Sequence, residues 1–151
     1  MALEVGRKAP DFTLLDENGE KVKLSFYRGK LVVVFFYPKA MTSGCTREAC
    51  DFRDEVDAFK RKDVVVLGIS KDTPAAQRRF KDKYQLPFPL LSDEGCEVQK
   101  AWGAWGEKVM YGKKVQGTIR TTVVVGPDGK VAAVFPKVKV DGHVAGVLAA
   151  L

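Results

Sequence analysis

With 151 residues, of which 46% are hydrophobic and 29% charged, the chain has the composition of one globular domain spanning residues 1–151 rather than of a disordered segment. Its longest apolar run, residues 31–37, is far shorter than the about 20 residues that a membrane helix requires, and no signal peptide is visible, which predicts a soluble, cytoplasmic protein without a membrane partner. The net charge of +6 comes from scattered lysines and arginines, which favours a solvated basic surface over a specific nucleic-acid site.

The first half of the chain predicts a hairpin, a buried strand and a long helix. Residues 12–15 and 21–24 flank Asn18–Gly19, a dipeptide that suits a tight hairpin turn. The continuous apolar run of residues 31–37 is typical of a strand covered on both faces. From about residue 42 to residue 62, apolar side chains recur every three or four positions, which predicts a helix.

The second half continues the alternation of strands and helices. Thr73–Pro74 supplies an N-cap followed by proline at the first helical position, which predicts a helix to about residue 83. The other predicted elements are a buried strand (64–69), a short strand (90–91), a short helix (93–102), a hairpin (121–125 and 131–135) and a last helix (143–151). This order predicts an α/β protein with an N-terminal β-hairpin and a central mixed sheet flanked by helices, compatible with a thioredoxin-like fold.

The cysteine and histidine content argues against a metal centre. The chain has three cysteines and one histidine, His143, in no paired C-x-x-C or H-x-x-x-H spacing. An odd number of cysteines at low density also disfavours a secreted disulfide scaffold. We therefore expect neither a metal nor another cofactor.

Cys45 is expected where a strand gives way to a helix. The first turn of a helix has unpaired N–H groups and the positive end of the dipole, so a negative charge is favoured there. Thiols in such places ionise more readily, and the thiolate is the reactive form. The position predicts sulfur redox chemistry at Cys45.

Cys50 follows five residues later. On one regular helix the two Cα atoms would lie roughly 8–9 Å apart, whereas a disulfide requires less than about 7 Å. Either the two thiols never pair, or the helix unwinds locally when they do. In the second case peroxide oxidises Cys45 to a sulfenic acid, Cys50 condenses with it to a disulfide, and an external dithiol reduces that bond.

Peroxide cleavage also requires hydrogen-bond donors along the line of the breaking bond. Thr42 offers a hydroxyl, and the N–H groups of Gly44 and Cys45 offer donors at the helix start. Arg120, at the entry to the strand predicted from residue 121, is the candidate cation because an arginine can hold thiolate and peroxide together. Sequence alone does not establish that Arg120 reaches Cys45.

Residues 37–54, YPKAMTSGCTREACDFRD, resemble the active-site stretch of peroxiredoxins, whose pattern P-x-x-x-T-x-x-C is matched by Pro38, Thr42 and Cys45. The second cysteine five residues later resembles the bacterioferritin comigratory protein group, also called peroxiredoxin Q. The likeness covers nearly the whole chain, including KAPDFTLLDENGE, PFPLLSDE, WGEK and the arginine before the PDG turn. Ser43 departs from the proline that the group commonly has, and we expect only a small change in loop stiffness from it.

The resemblance implies a thiol-dependent peroxidase that reduces hydrogen peroxide and organic hydroperoxides. In it, Cys45 is the peroxidatic and Cys50 the resolving cysteine, joined as an intramolecular redox disulfide. Thr42 and Arg120 activate the thiolate and bind peroxide.

The same resemblance implies that Pro38 shields the pocket and that Glu48 orients the arginine. It further implies a thioredoxin or glutaredoxin-like reductant and a monomeric protein.

Two other functions stay open from the sequence. A thiol–disulfide oxidoreductase would favour C-x-x-C spacing, which is not present, and a basic binding or holdase module would make the thiols incidental. Cys96 is expected to be a partly buried helix residue, with an alternative resolving role or an intermolecular link left open. We expect His143 on the surface or at a helix cap, and Trp102 and Trp105 in packing roles.

Overall fold

A computed structural model of the chain describes residues 3–151. Nine strands and five α-helices lie within these residues. The strands are β1 (Thr13–Leu15), β2 (Lys21–Lys23), β3 (Leu31–Phe36), β4 (Val64–Ser70), β5 (Leu90–Ser92), β6 (Trp105–Met110), β7 (Lys113–Thr118), β8 (Thr121–Val125) and β9 (Val131–Phe135). The helices are α1 (Ser43–Asp54), α2 (Val56–Arg61), α3 (Pro74–Tyr84), α4 (Glu97–Ala101) and α5 (His143–Ala149).

Seven strands form one mixed sheet in the order β2-β1-β5-β4-β3-β8-β9, and β6 and β7 form a separate two-stranded hairpin. The apolar strands β3 and β4 lie side by side and parallel, and β8 pairs with β3 antiparallel. The predicted central mixed sheet and the N-terminal hairpin of β1 and β2 are confirmed.

The sheet is covered on both faces because successive side chains of β3 point to opposite sides. Val33 and Phe35 pack in a core with residues of α1, α2 and α5, whereas Val32, Val34 and Phe36 pack in the other core with Trp102. All five of these strand residues are at most 2% exposed. The continuous apolar run therefore forms the centre of the molecule and fixes the point where the chain leaves β3.

Two sequence expectations require correction, and one element was not predicted. The helix predicted over residues 42–62 is two helices, because the chain breaks at Glu55, whose φ of −103° and ψ of 10° lie outside helical values. The helix predicted over 93–102 begins only at Glu97. The hairpin of β6 and β7 was not predicted, since most of its side chains are exposed and no buried face marks its strands.

Within residues 3–151, none of the helices has the length and apolar character that crossing a membrane would require.

Candidate active site

Cys45 is the third residue of α1, which follows directly on the loop that leaves β3. Its side chain is almost fully buried, with 1% exposed. The buried face of α1 repeats with the period of the helix. It consists of Cys45 and the residues three, four and seven positions later, namely Glu48, Ala49 and Phe52. The sulfur therefore lies where the first-turn N–H groups of the helix leave a positive potential.

Buried polar side chains fix the loop between β3 and α1. The backbone N–H of Ala40 donates to Asp72 Oδ2 at 2.8 Å, and Ser70 Oγ donates to the same oxygen at 2.6 Å. Earlier in the loop, the hydroxyl of Tyr37 donates to Gln77 Oε1 at 2.5 Å. These bonds tie the loop to the end of β4 and to α3, so the start of α1 is held against the sheet.

Arg120 bridges the thiol and a buried carboxylate. Its Nη2 donates to Cys45 Sγ at 3.3 Å, and its Nη1 donates to Glu48 Oε1 at 2.7 Å. The pairing of Thr121 with Phe36 places Arg120 beside the end of β3, near the start of α1. Two residues that are 75 positions apart in sequence thus meet because β8 lies next to β3.

The ion pair of Glu48 and Arg120 lies largely inside the protein. The side chain of Glu48 is 0% exposed and that of Arg120 is 17% exposed. Burial raises the pKa of Glu48 to about 7, although the charge and hydrogen bond of Arg120 act in the opposite direction. Burial alone would lower the pKa of Arg120, but the charges of Glu48 and then Cys45 raise it overall. The guanidinium therefore stays charged, while the carboxyl group titrates near neutrality.

Gly44 leaves space for the arginine. A Cβ atom at this position would lie 3.2 Å from Arg120 Nη2, closer than ordinary van der Waals contact. The backbone of Gly44 does not have a positive φ, so the glycine allows the close approach of Arg120 rather than a turn. Arg120 consequently passes directly over the first turn of α1 to reach the sulfur.

Thr42 precedes α1 as its N-cap residue, but its hydroxyl points back along the loop. Thr42 Oγ1 donates to the carbonyl of Lys39 at 2.7 Å. Within residues 3–151 it makes no hydrogen bond to Cys45, and it does not cap the helix. Since its proton is committed to Lys39, the oxygen is left able to accept a hydrogen bond.

A cavity of about 360 Å³ opens beside the arginine. Its lining includes Pro38, Lys108, Ile119 and Arg120. Lys108 was not anticipated from the sequence. Its Nζ donates to the carbonyl of Thr118 at 3.0 Å, and burial lowers its pKa. The cavity thus combines apolar walls with charged side chains, among them Lys108 and Arg120.

The three cysteines are all free thiols, with no disulfide within residues 3–151. Cys50 lies on the same unbroken α1 as Cys45, and burial raises its pKa against the opposing charge of Arg53. Cys96 is buried and stands at the start of α4 with φ of +59°, so the expectation of a residue inside a helix is wrong. Burial also raises the pKa of the Cys96 thiol.

His143 was expected on the surface or at a helix cap; it is the first residue of α5, makes no side-chain capping bond, and is turned inward. Its side chain is 6% exposed and its Nε2 lies 4.0 Å from Glu48 Oε2. Trp102, by contrast, is a packing residue as expected: it is 1% exposed and its Nε1 donates to the carbonyl of Pro10. Trp105 is only partly buried and lies under the ammonium of Lys100, with Nζ 5.5 Å from the ring centre.

Comparison with known proteins agrees with this geometry. The sequence profile of the AhpC/TSA family matches residues 5–134. The chain therefore belongs to the AhpC/TSA family, in the bacterioferritin comigratory protein, or peroxiredoxin Q, group of the peroxiredoxins.

The similarity to individual relatives covers nearly the whole chain. A Coxiella burnetii relative named for the peroxiredoxin Bcp group is 50% identical over 151 residues, 100% of both chains. Peroxiredoxin Bcp of Bacillus subtilis is 44% identical over 151 residues, 100% of this chain and 96% of the relative. A Xanthomonas campestris bacterioferritin comigratory protein, studied for alkyl peroxide reduction, has a solved structure with TM-score 0.91 and 35% identity, covering 97% of this chain and 96% of its own. The thioredoxin-like fold is thereby confirmed.

Proposed function

We propose that this peroxiredoxin reduces hydrogen peroxide and organic hydroperoxides at Cys45, with Cys50 as the resolving thiol. The observation that carries the proposal is the 3.3 Å contact of Arg120 Nη2 with Cys45 Sγ at the first turn of α1. A guanidinium and a helix N-terminus both stabilise a negative sulfur. The alkyl peroxide reduction studied in the Xanthomonas relative supports the same substrate class.

In the first step the Cys45 thiolate attacks one peroxide oxygen along the O–O axis. The S–O bond forms as the O–O bond breaks, and the leaving oxygen takes up a proton to become water or an alcohol. Sulfur is oxidised to a sulfenic acid. Arg120 has five N–H donors, so those not used on Glu48 and sulfur are available for the charge that develops on the oxygens.

Thr42 orients the peroxide by accepting a hydrogen bond from it. Its proton is donated to the carbonyl of Lys39, so Thr42 Oγ1 accepts the hydrogen bond of a peroxide O–H group. An acceptor on one side and Arg120 donors on the other align the O–O bond with the sulfur. Pro38 lines the cavity beside Arg120 and keeps that side of the site apolar.

Resolution requires that α1 open. In the closed helix the Cα atoms of Cys45 and Cys50 are roughly 8–9 Å apart, which is too far for a disulfide. Burial also raises the pKa of Cys50, which keeps its thiol protonated in the closed helix. Local unwinding exposes Cys50, and its attack on the sulfenic acid forms the S–S bond and releases water.

An external dithiol then returns both cysteines to thiols by exchange, and we propose thioredoxin or a glutaredoxin-like protein for this role. We also propose that the enzyme is a monomer of the cytoplasm, where the glutathione and thioredoxin pools keep thiols reduced.

The test compares Cys45→Ser with Cys50→Ser in peroxide consumption coupled to thioredoxin and its reductase. We expect Cys45→Ser to lose all turnover, whereas Cys50→Ser retains one rapid oxidation but not continuous turnover. Mass spectrometry of the oxidised wild type should find a Cys45–Cys50 disulfide. A Cys45–Cys96 disulfide, or full turnover in Cys50→Ser, would remove Cys50 from the cycle.

A further inference from the structure

Behind the Glu48–Arg120 pair lies the one histidine of the chain. Glu48 turns Oε1 to Arg120 and Oε2 away from it, toward the first residue of α5. Oε2 is buried and has no hydrogen-bond partner among residues 3–151. His143 Nε2 lies 4.0 Å from this oxygen. The Glu48 carboxyl group is held by Arg120 through Oε1, so a rotation of this group would be needed to bring Oε2 toward hydrogen-bond distance of Nε2.

The histidine ring is fixed in this orientation by its neighbours. Thr122 Oγ1 lies 2.7 Å from His143 Nε2. The rings of Phe52 and Phe135 meet the imidazole edge-on, with centres 6.2 and 5.6 Å away. A hydroxyl either donates or accepts, so Thr122 satisfies Nε2 whether or not that nitrogen carries a proton. Nε2 has one in-plane position for a hydrogen bond, so it must exchange Thr122 Oγ1 for Glu48 Oε2 when a proton passes between the two residues.

We propose that His143 is a positioning residue of the peroxidase site, which shares one exchangeable proton with Glu48 across the Nε2–Oε2 contact and thereby sets the charge that Glu48 presents to Arg120. The inference rests on the proposed function, in which Arg120 holds the thiolate and the peroxide. His143 touches neither sulfur nor substrate, so it acts only through Glu48 and Arg120.

On α1, two further charged residues lie around this pair. Asp51 adds a like charge that raises the pKa of Glu48 in the same direction as burial, which is the larger cause. Arg47 points outward, where it forms an exposed ion pair with Asp141 ahead of α5. Both charges of that ion pair lie on the surface, so Glu48 remains the acidic group that faces the histidine.

From the sheet, the charge facing the histidine is that of Arg120. Burial, and then the charge of Arg120, lower the pKa of His143 from its ordinary value of 6.5. The other two side chains that the sheet contributes, Thr122 and Phe135, are uncharged. Burial raises the pKa of Glu48 to about 7 while it lowers that of His143, so the carboxyl group competes with the imidazole as the site of a proton near neutral pH.

Two substitutions of the histidine should shift the pH dependence in opposite directions. In His143→Gln an amide N–H is available to Oε2, which favours the Glu48 carboxylate and moves its titration to lower pH. In His143→Leu, Oε2 faces only apolar groups, so the titration moves to higher pH. Each shift should be about one pH unit, the size expected for one hydrogen bond to a buried charge.

The kinetic readout is the pH profile of a single oxidation of the reduced protein by hydrogen peroxide, followed by stopped-flow tryptophan fluorescence. We expect an inflection near neutral pH that moves down in His143→Gln and up in His143→Leu. If both variants were slower by the same factor at every pH, with the inflection unmoved, His143 would have only a structural role and the proposal would fail.

A second measurement is independent of peroxidase activity, so failure of the proposed function cannot be confused with failure of this inference. The chain has one histidine, so long-range ¹H–¹⁵N NMR of reduced protein labelled at histidine reports His143 without assignment. We expect two inflections in the wild type and one in Glu48→Gln. A single inflection in the wild type, unchanged by Glu48→Gln, would overturn the shared proton whatever the kinetics show.

Discussion

Replacing Arg120 with lysine separates the charge of the side chain from its geometry. In the native site two different nitrogens act at once: Nη1 on Glu48 at 2.7 Å and Nη2 on Cys45 Sγ at 3.3 Å. Lysine keeps a positive charge, but its ammonium group has a single nitrogen in place of the planar guanidinium, so it cannot maintain both contacts. We expect the lysine to pair with Glu48, because a buried carboxylate left without a partner is costly.

The size of the effect follows from the contact that is lost. A hydrogen bond to a charged group contributes about 1.5–3 kcal/mol, which corresponds to a rate decrease of roughly 10- to 100-fold if the full value is expressed in the transition state. Arg120 is 17% exposed, so solvent screening reduces this value little. The free energy of unfolding should change by less than the activation free energy of oxidation, because the positive charge opposite Glu48 is retained.

The assay is stopped-flow oxidation of reduced Arg120→Lys by hydrogen peroxide at pH 7, with urea denaturation as the measure of stability. The matched control is Arg78→Lys, because Arg78 lies in an exposed ion pair with Asp82 on α3, away from the site. We expect the control to react at the wild-type rate. If Arg120→Lys did so as well, the bridging geometry would have no part in catalysis.

Three further predictions concern the same site. Glu48 has a pKa of about 7 in the folded protein against an ordinary 4.5, so its contribution to stability is greatest below pH 4.5 and falls as pH rises to 7, by about 3 kcal/mol in total. Glu48→Gln should lack that fall, as measured by urea denaturation at pH 5 and pH 8; an equal pH dependence in both proteins would contradict the buried titration. Gly44→Ala should displace Arg120 Nη2, which lies 3.2 Å from the added Cβ, and slow oxidation of Cys45 by about 3- to 10-fold, roughly half of one charged hydrogen bond; a wild-type rate would show that the guanidinium moves aside freely. Thr42→Val removes the hydroxyl that accepts a hydrogen bond from peroxide, whereas Thr42→Ser keeps it. Thr42→Val should therefore need a higher peroxide concentration to reach half of its maximal rate than Thr42→Ser, as measured by the dependence of rate on peroxide concentration.

The central strands were predictable because burial on both faces leaves an uninterrupted apolar run, as in β3 and β4. The hairpin of β8 and β9 was predictable from its PDG turn. The hairpin of β6 and β7 was missed because its strands face solvent and its turn, Tyr111–Gly112, has positive φ at both residues without the usual Asn-Gly or Asp-Gly signal. A pattern of burial cannot reveal strands that bury little.

The site was predictable where it lies within one helix. Cys45 and Glu48 are three residues apart, so helical periodicity places them on one face. Arg120 directly precedes β8, whose neighbour in the sheet is set by tertiary packing, so the sequence could name it as a candidate cation but could not show that it reaches Cys45. His143 is an isolated histidine at the start of a short helix, and no local sequence signal indicates that α5 packs it against Glu48.

The central claim, that Cys45 is the sulfur that peroxide oxidises, is tested most directly by trapping the sulfenic acid. Reduced Cys50→Ser protein is mixed with one equivalent of hydrogen peroxide in the presence of dimedone, and the labelled peptide is identified by mass spectrometry. The account predicts one dimedone adduct, on Cys45, formed within the time of the rapid oxidation. An adduct on Cys96 instead, or peroxide loss that persists at the same rate in Cys45→Ser, would contradict it.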